Sequence, residues 1–226
     1  MDPTPSQRPT LARGVFQALL LAAIMFSSLG CYLLVLKWRG DAASVTTWTP
    51  ADEWLPFWPS WVWVYLIPYI VGPVVIGLMT WDTFWWYVRR GLVVVGLTLS
   101  VFIVYPTQTD DTHRKSFQGT GLTAEMYKNM IEIDDPPANA APSLHVSLTC
   151  LLALALVRDF PRWWPASLGF VALVWLSTLV TRQHHLIDVG TGALVACGVC
   201  AAFSFFSPAK SPWYNGPGPS SADSHG

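Results

Sequence analysis

The sequence predicts an all-α protein, a polytopic bundle of about six transmembrane helices, and three observations carry that prediction. Hydrophobic residues fill 52% of the 226 positions and charged residues only 12%, a balance too apolar for a domain whose whole surface meets water. Six apolar runs lie along the chain, at residues 14–36, 61–80, 84–105, 143–157, 163–180 and 186–206. Most of them reach the roughly 20 residues that a helix needs to cross a bilayer core. Tryptophans gather where these runs end, at Trp54, Trp58, Trp61, Trp81, Trp85, Trp86, Trp163 and Trp164, as an interfacial aromatic belt requires.

Taken in order, residues 1–13 form a polar, proline-bearing tail, and the run at 14–36 is too long for a signal-peptide core, so it is expected to stay as the first span. The tryptophan- and proline-rich stretch 47–59 is expected to lie along the membrane surface before the second span. The fourth run, 143–157, is short, and a helix opening at the Pro142-Ser143 boundary accommodates it, because proline is at home at a helix start. Residues 106–141 make the one long connection, without evident structure, and such a loop usually has a task. Residues 14–207 therefore read as one transmembrane domain, followed by a Pro-, Ser- and Gly-rich tail, 208–226, expected to be disordered.

A net charge of -1 supplies no basic field, so nucleic acid is not an expected partner; the bilayer is. With the amino terminus inside, Arg8, Arg13, Arg89, Arg90, Arg158, Arg162 and Lys210 fall on the cytoplasmic side, against Lys37, Arg39, Arg114, Lys115, Lys128 and Arg182 opposite. That narrow majority orients a multi-pass protein of the cell membrane. Cys31, Cys150, Cys197 and Cys200 all sit in apolar runs and read as packing residues; the Cys197-x-x-Cys200 pair lacks the strand-to-helix setting of redox motifs.

Polar groups concentrate at two membrane boundaries, residues 141–145 and 181–188, and six spans place both on the same, extracytoplasmic, side. His184 and Asp188 stand four apart, so on a helix the carboxylate can orient the imidazole and stabilise its protonated form; His185, three from Asp188, can do the same, and spacing does not choose between them. No carboxylate cluster of the kind that binds a catalytic divalent metal is present, and no cofactor is expected.

Pro142-Ser143-Leu144-His145 and His184-x-x-x-Asp188, the latter followed by Gly190-Thr191-Gly192-Ala193, resemble the P-S-x-H and H-x-x-x-D motifs of the type 2 phosphatidic acid phosphatase superfamily, in particular its branch related to inositol phosphorylceramide synthases. The resemblance extends from about residue 56 to residue 201. It implies a metal-independent phosphatase or phosphotransferase acting on a lipid phosphate through a phosphohistidine. His184 would be the nucleophile, Asp188 its orienting partner, His145 the general acid, and Ser143 a donor to a phosphoryl oxygen. The chain departs from the family where the K-x-x-x-x-x-x-R-P motif is missing and Thr178 stands for the arginine expected six residues before the nucleophile. Phosphate then needs another cation, for which Arg182 is the first candidate and Arg114 and Lys115 the next. Two other functions remain open from sequence: a transporter or scaffold using His145, His184 and His185 as a proton relay or metal site, and a family relative without catalysis.

Overall fold

Backbone amides and carbonyls have no water to bond in a bilayer core, so each apolar run must satisfy its own backbone, and each folds as one helix. The computed structural model describes residues 9–206 apart from Ser44, Asp110, Asp111, Asp134 and Asp135. Its helices are α1 (Leu11–Arg39), α2 (Val62–Gly77), α3 (Trp81–Val104), the short α4 (Thr112–Lys115), α5 (Leu122–Ile133), α6 (Leu144–Asp159), α7 (Trp164–Val180) and α8 (Leu186–Phe206). The tail 208–226 lies outside the described residues, as do residues 1–8.

Helices α1, α3 and α8, and α2 and α7 together with the 3-10 turns that lead into them (Pro59–Gly77 and Pro161–Val180), are long and apolar enough to cross a membrane, and the chain is a membrane-embedded helical bundle. At 16 residues α6 is the exception: it extends about 24 Å, less than the ~30 Å hydrocarbon core. Its setting explains why that suffices. It packs against α2, α3, α7 and α8, and residues from Val146 to Ala155 are largely buried by those neighbours, so little of it has to match lipid. The same enclosure lets α6 carry His145, Ser147 and Thr149 at depth.

The connection 106–141 differs from the structureless loop expected of it. Thr107–Gln108 pairs in parallel with Val45–Thr46, and α4 and α5 follow. Met126, Met130 and Ile133 recur at helical spacing, with Glu125, Lys128, Asn129 and Glu132 around them, and turn one face of α5 toward the bundle. One end of the bundle thus gathers the close of α1 and α3, the start of α2, α6 and α8, and α5. Arg39 Nε donates to Ile103 O (3.0 Å) and Trp58 N to Val180 O (2.8 Å), tying these segments together.

At the opposite end the buried Asp159 closes α6 and fixes the start of α3: its carboxylate accepts from Thr80 N (2.6 Å), Thr80 Oγ1 (3.1 Å) and Thr83 Oγ1 (2.5 Å). Between the ends, Leu21, Ile76, Phe84, Val94, Leu151 and Ala196 belong to one core cluster. Replacing Asp159 with alanine strands three donors in an apolar setting and should cost about 2–4 kcal/mol. Thermal unfolding of the detergent-solubilised variant checks this, and a wild-type midpoint would mean that the cap contributes nothing.

Candidate active site

The turn between α7 and α8 is built by α7's own carbonyls and a clamp from distant chain. Gln183 N and His184 N both donate to Thr178 O (3.0 and 3.1 Å), and Arg182 N to Leu179 O (3.0 Å). Closing the helix this way puts Arg182 in the left-handed region, φ 57°, where a residue with a side chain is strained by about 1–2 kcal/mol. Its guanidinium offsets that strain by donating to Asp52 O (2.7 Å) and Leu55 O (2.8 Å). Asp52 reciprocates: Oδ1 accepts from Leu186 N at the start of α8 (2.9 Å), while Oδ2 accepts from Thr49 N (2.8 Å) and Thr49 Oγ1 (2.6 Å). From the other side, Tyr127 of α5 donates its hydroxyl to Thr181 O (2.8 Å).

Asp188 is fully buried in the first turn of α8. Its Oδ2 accepts from His185 N (2.8 Å) and faces His184 Nδ1 at 3.4 Å, while Oδ1 has no partner among the described residues. At 3.4 Å the contact with His184 is long for a hydrogen bond. Asp188 also joins the two motifs through its backbone, because Ser143 N donates to Asp188 O (3.0 Å). Ser143 caps α6, its Oγ accepting from Val146 N (3.3 Å), with Pro142 one residue before the cap. Helix α8 approaches this cap so closely that a Cβ on Gly192 would stand 2.6 Å from Ser143 O.

His145, in the first turn of α6, stacks on Tyr65 with ring centroids 4.3 Å apart and planes 7° from parallel. Its Nδ1 lies 3.3 Å from the Tyr69 hydroxyl, which leaves Nε2 buried and without a partner among the described residues.

Both histidines open onto a cavity of about 410 Å³ between α1, α2, α3 and α6. The helices present periodic faces to it: Tyr65, Pro68, Tyr69 and Gly72 from α2, and Leu144, His145, Leu148 and Leu152 from α6. Along α6 the lining from Leu144 to Leu152 measures about 12 Å. Most of the wall is apolar; His145, His184, Asn139 and Gln183 stand at the end where the two motifs meet, and Ser28 and Tyr87 line it farther along.

The structure brings His145, Ser143, His184 and Asp188 together. It also separates the adjacent histidines: His184 lines the cavity with 12% of its side chain exposed, whereas His185, 1% exposed, sets Nδ1 3.0 Å from Thr47 Oγ1. Arg182 is directed to backbone carbonyls and does not line the cavity. Arg114 is buried and donates to Thr109 Oγ1 (3.1 Å), also away from the lining, and the side chain of Lys115 lies outside the described residues. Among the described residues no lysine or arginine lines the cavity. Thr178, at the position of the expected arginine, turns its hydroxyl to Trp175 O (2.8 Å).

Sequence reasoning missed Asp52, Thr47, the Tyr65 and Tyr69 pair, Asn139 and Gln183. Asp52 left a signal, since Thr49-Pro50-Ala51-Asp52 has the form of a helix-start capping sequence. Tyr65 and Tyr69 stand at helical spacing in an apolar run, which marks a shared face without saying what it meets.

The α6–α8 approach yields a paired test. Gly192→Ala forces a methyl against Ser143 O and should destabilise the protein by about 1–3 kcal/mol. Gly190→Ala meets nothing within 4 Å and should be neutral or stabilising by up to about 1 kcal/mol. Equal unfolding midpoints for the two variants would contradict the close packing of α8 on the Ser143 cap.

No curated protein and no solved structure gives a significant match to the chain. A family model of the PAP2 superfamily matches residues 34–202, a stretch that holds both motifs, the strap that clamps the turn and most of the cavity wall. With that match covering most of its length and with Pro142-Ser143-x-His145 and His184-x-x-x-Asp188 converging on one cavity, the chain belongs to the PAP2 superfamily, the type 2 phosphatidic acid phosphatases.

Proposed function

We propose that this protein, whose superfamily supports a phosphatase-like activity in general, removes or transfers the phosphoryl group of a membrane lipid through a phosphohistidine and without a metal ion. The observation that carries the proposal is the pairing of His184 Nδ1 with the buried Asp188, at the polar end of an otherwise apolar cavity that also presents His145. An acyl or prenyl chain fits the apolar wall between α1, α2, α3 and α6, which leaves the phosphate among the histidines.

In the first step His184 Nε2 attacks phosphorus while Asp188 holds the Nδ1 proton and stabilises the positive charge that grows on the ring. The bond from phosphorus to the lipid oxygen breaks, and His145 Nε2, which has no other partner among the described residues, gives that oxygen its proton. Stacking on Tyr65 and the Tyr69 hydroxyl hold the His145 ring for this transfer. In the second step His145 takes a proton from water or from an acceptor alcohol. The resulting oxygen nucleophile attacks phosphorus, and the phosphorus–nitrogen bond breaks to restore His184. Water and alcohol use the same intermediate, so hydrolysis and transfer are two fates of one chemistry. The charge asymmetry of the sequence supports a site facing the extracytoplasmic side of the cell membrane.

Phosphate release from a panel of lipid mono- and diphosphates, by purified protein in excess chelator, tests this. Wild type should release phosphate. His184→Ala should lose about 10⁴-fold or more, and His145→Ala about 10²–10⁴-fold. His185→Ala should retain measurable release and lose about 1 kcal/mol of stability with its Thr47 contact. Release abolished by chelator, or surviving in His184→Ala, would defeat the proposal and favour a metal-dependent site or a different nucleophile.

A further inference from the structure

Two amide side chains at the polar end of the cavity have no explained partner. Asn139 is 2% exposed, lines the cavity, and has both Nδ2 and Oδ1 buried without a hydrogen-bond partner among the described residues. Gln183, 4% exposed and next to His184, lines the same cavity with Nε2 buried and likewise without a partner. Buried amide donors are almost always satisfied, so two that line one cavity without a partner point to a ligand.

Neither amide is there by slack in the chain. Asn139 sits at φ 58° in a segment pinned to the strand pair: Ala138 bridges Gln108, Ala140 N donates to Thr107 O (3.4 Å) and Ala141 N to Thr107 Oγ1 (2.9 Å). Asparagine is among the few residues that accept this backbone, and its side chain is thereby committed to the cavity. Gln183 is fixed by its N–H on Thr178 O, between Arg182 and His184.

We propose that Asn139 and Gln183 are the phosphoryl-binding pair of this site, their side-chain amides donating to oxygens of a phosphoryl group at the cavity end, where no lysine or arginine among the described residues lines the wall. The proposal rests on the phosphohistidine reading above. During transfer, charge spreads over three equatorial oxygens, and each amide offers two N–H donors. Donors held rigidly in a water-poor cavity stabilise that charge strongly, because nothing must reorient when it develops. Ser143, fully buried with its Oγ accepting from Val146 N, does not line the cavity, so the two amides carry the contact.

Orthovanadate, which mimics a phosphoryl group, is the probe, with lipid phosphate release as the second readout. The variants are Asn139→Gly, which tolerates φ 58°, Asn139→Asp, which keeps the shape but replaces donors with a negative acceptor, and Gln183→Ala. Each should lower kcat by roughly 100-fold, with Asn139→Asp the most severe. Each should also abolish the rise in unfolding midpoint that vanadate gives the wild type, while the midpoint without vanadate stays at the wild-type value. Wild-type turnover and a wild-type vanadate response in Asn139→Asp and Gln183→Ala would overturn the pair. A midpoint lowered without vanadate in both Asn139 variants would assign that residue to the fold and overturn its half; Gln183→Ala decides the other half. Vanadate binding needs no turnover, so a wild type that binds vanadate through these residues but releases no phosphate would sink the proposed reaction and leave the pair standing.

Discussion

Five residues of irregular backbone, 181–185, stand between two apolar helices, and all but His184 are buried, so the protein itself must satisfy them. That constraint organises the active end of the molecule, because non-helical backbone is tolerated at membrane depth only where it is buried in protein or lines a polar cavity. Arg182 and Asp52 meet it jointly. The guanidinium holds the carbonyls of residues 52 and 55, and the Asp52 carboxylate holds the first amide of α8. Two hydrogen bonds from a charged donor contribute about 3 kcal/mol or more, enough to outweigh the left-handed backbone that Arg182 adopts. Once the turn is fixed, the rest follows bond by bond: Asp188 falls beneath His184, its carbonyl receives Ser143 N, and that contact sets where α6 begins and where His145 points.

The short central helix is the second element of the design. Because α6 is wrapped by α2, α3, α7 and α8, it can be less than a membrane long and can carry a histidine that a lipid-facing helix would not tolerate. Its first two turns form one wall of the cavity, and α1 and α2 form the wall toward the lipid. A largely apolar chamber with histidine and amide side chains gathered at one end is shaped for a molecule with one polar and one apolar part.

The long helices were readable in the sequence because bilayer thickness sets their length: a helix lies within a few residues of each apolar run, and five of these are long and apolar enough to cross a membrane. The run at 143–157 was readable only through the Pro142-Ser143 boundary, since a helix shielded by other helices need not be long. The motif residues could be placed on one end of the bundle by counting crossings, but the choice between His184 and His185 lies in Thr47, 138 residues away from His185 in sequence. Arg182 illustrates the same limit. Its charge suits a phosphate, yet its guanidinium is engaged by carbonyls 127 and 130 residues distant, a fact that no local pattern encodes. Gln183 stood in the polar segment 181–188 without any sign of a role, and Asn139 gave none either, because an unpartnered amide is a property of the folded surroundings. Helix α5 was readable in principle: Met126, Met130 and Ile133 already held its period.

The central claim is that a phosphoryl group passes through His184, and trapping it there is the direct test. Purified protein mixed with a lipid phosphate, quenched within milliseconds to seconds under alkaline conditions that preserve phosphohistidine, can be digested and mapped by mass spectrometry. The account predicts one phosphoryl group on the peptide that holds His184, located on that residue and lost on mild acid treatment. A phosphoryl group on His185 or His145, or continued phosphate release with none on the protein, would contradict it.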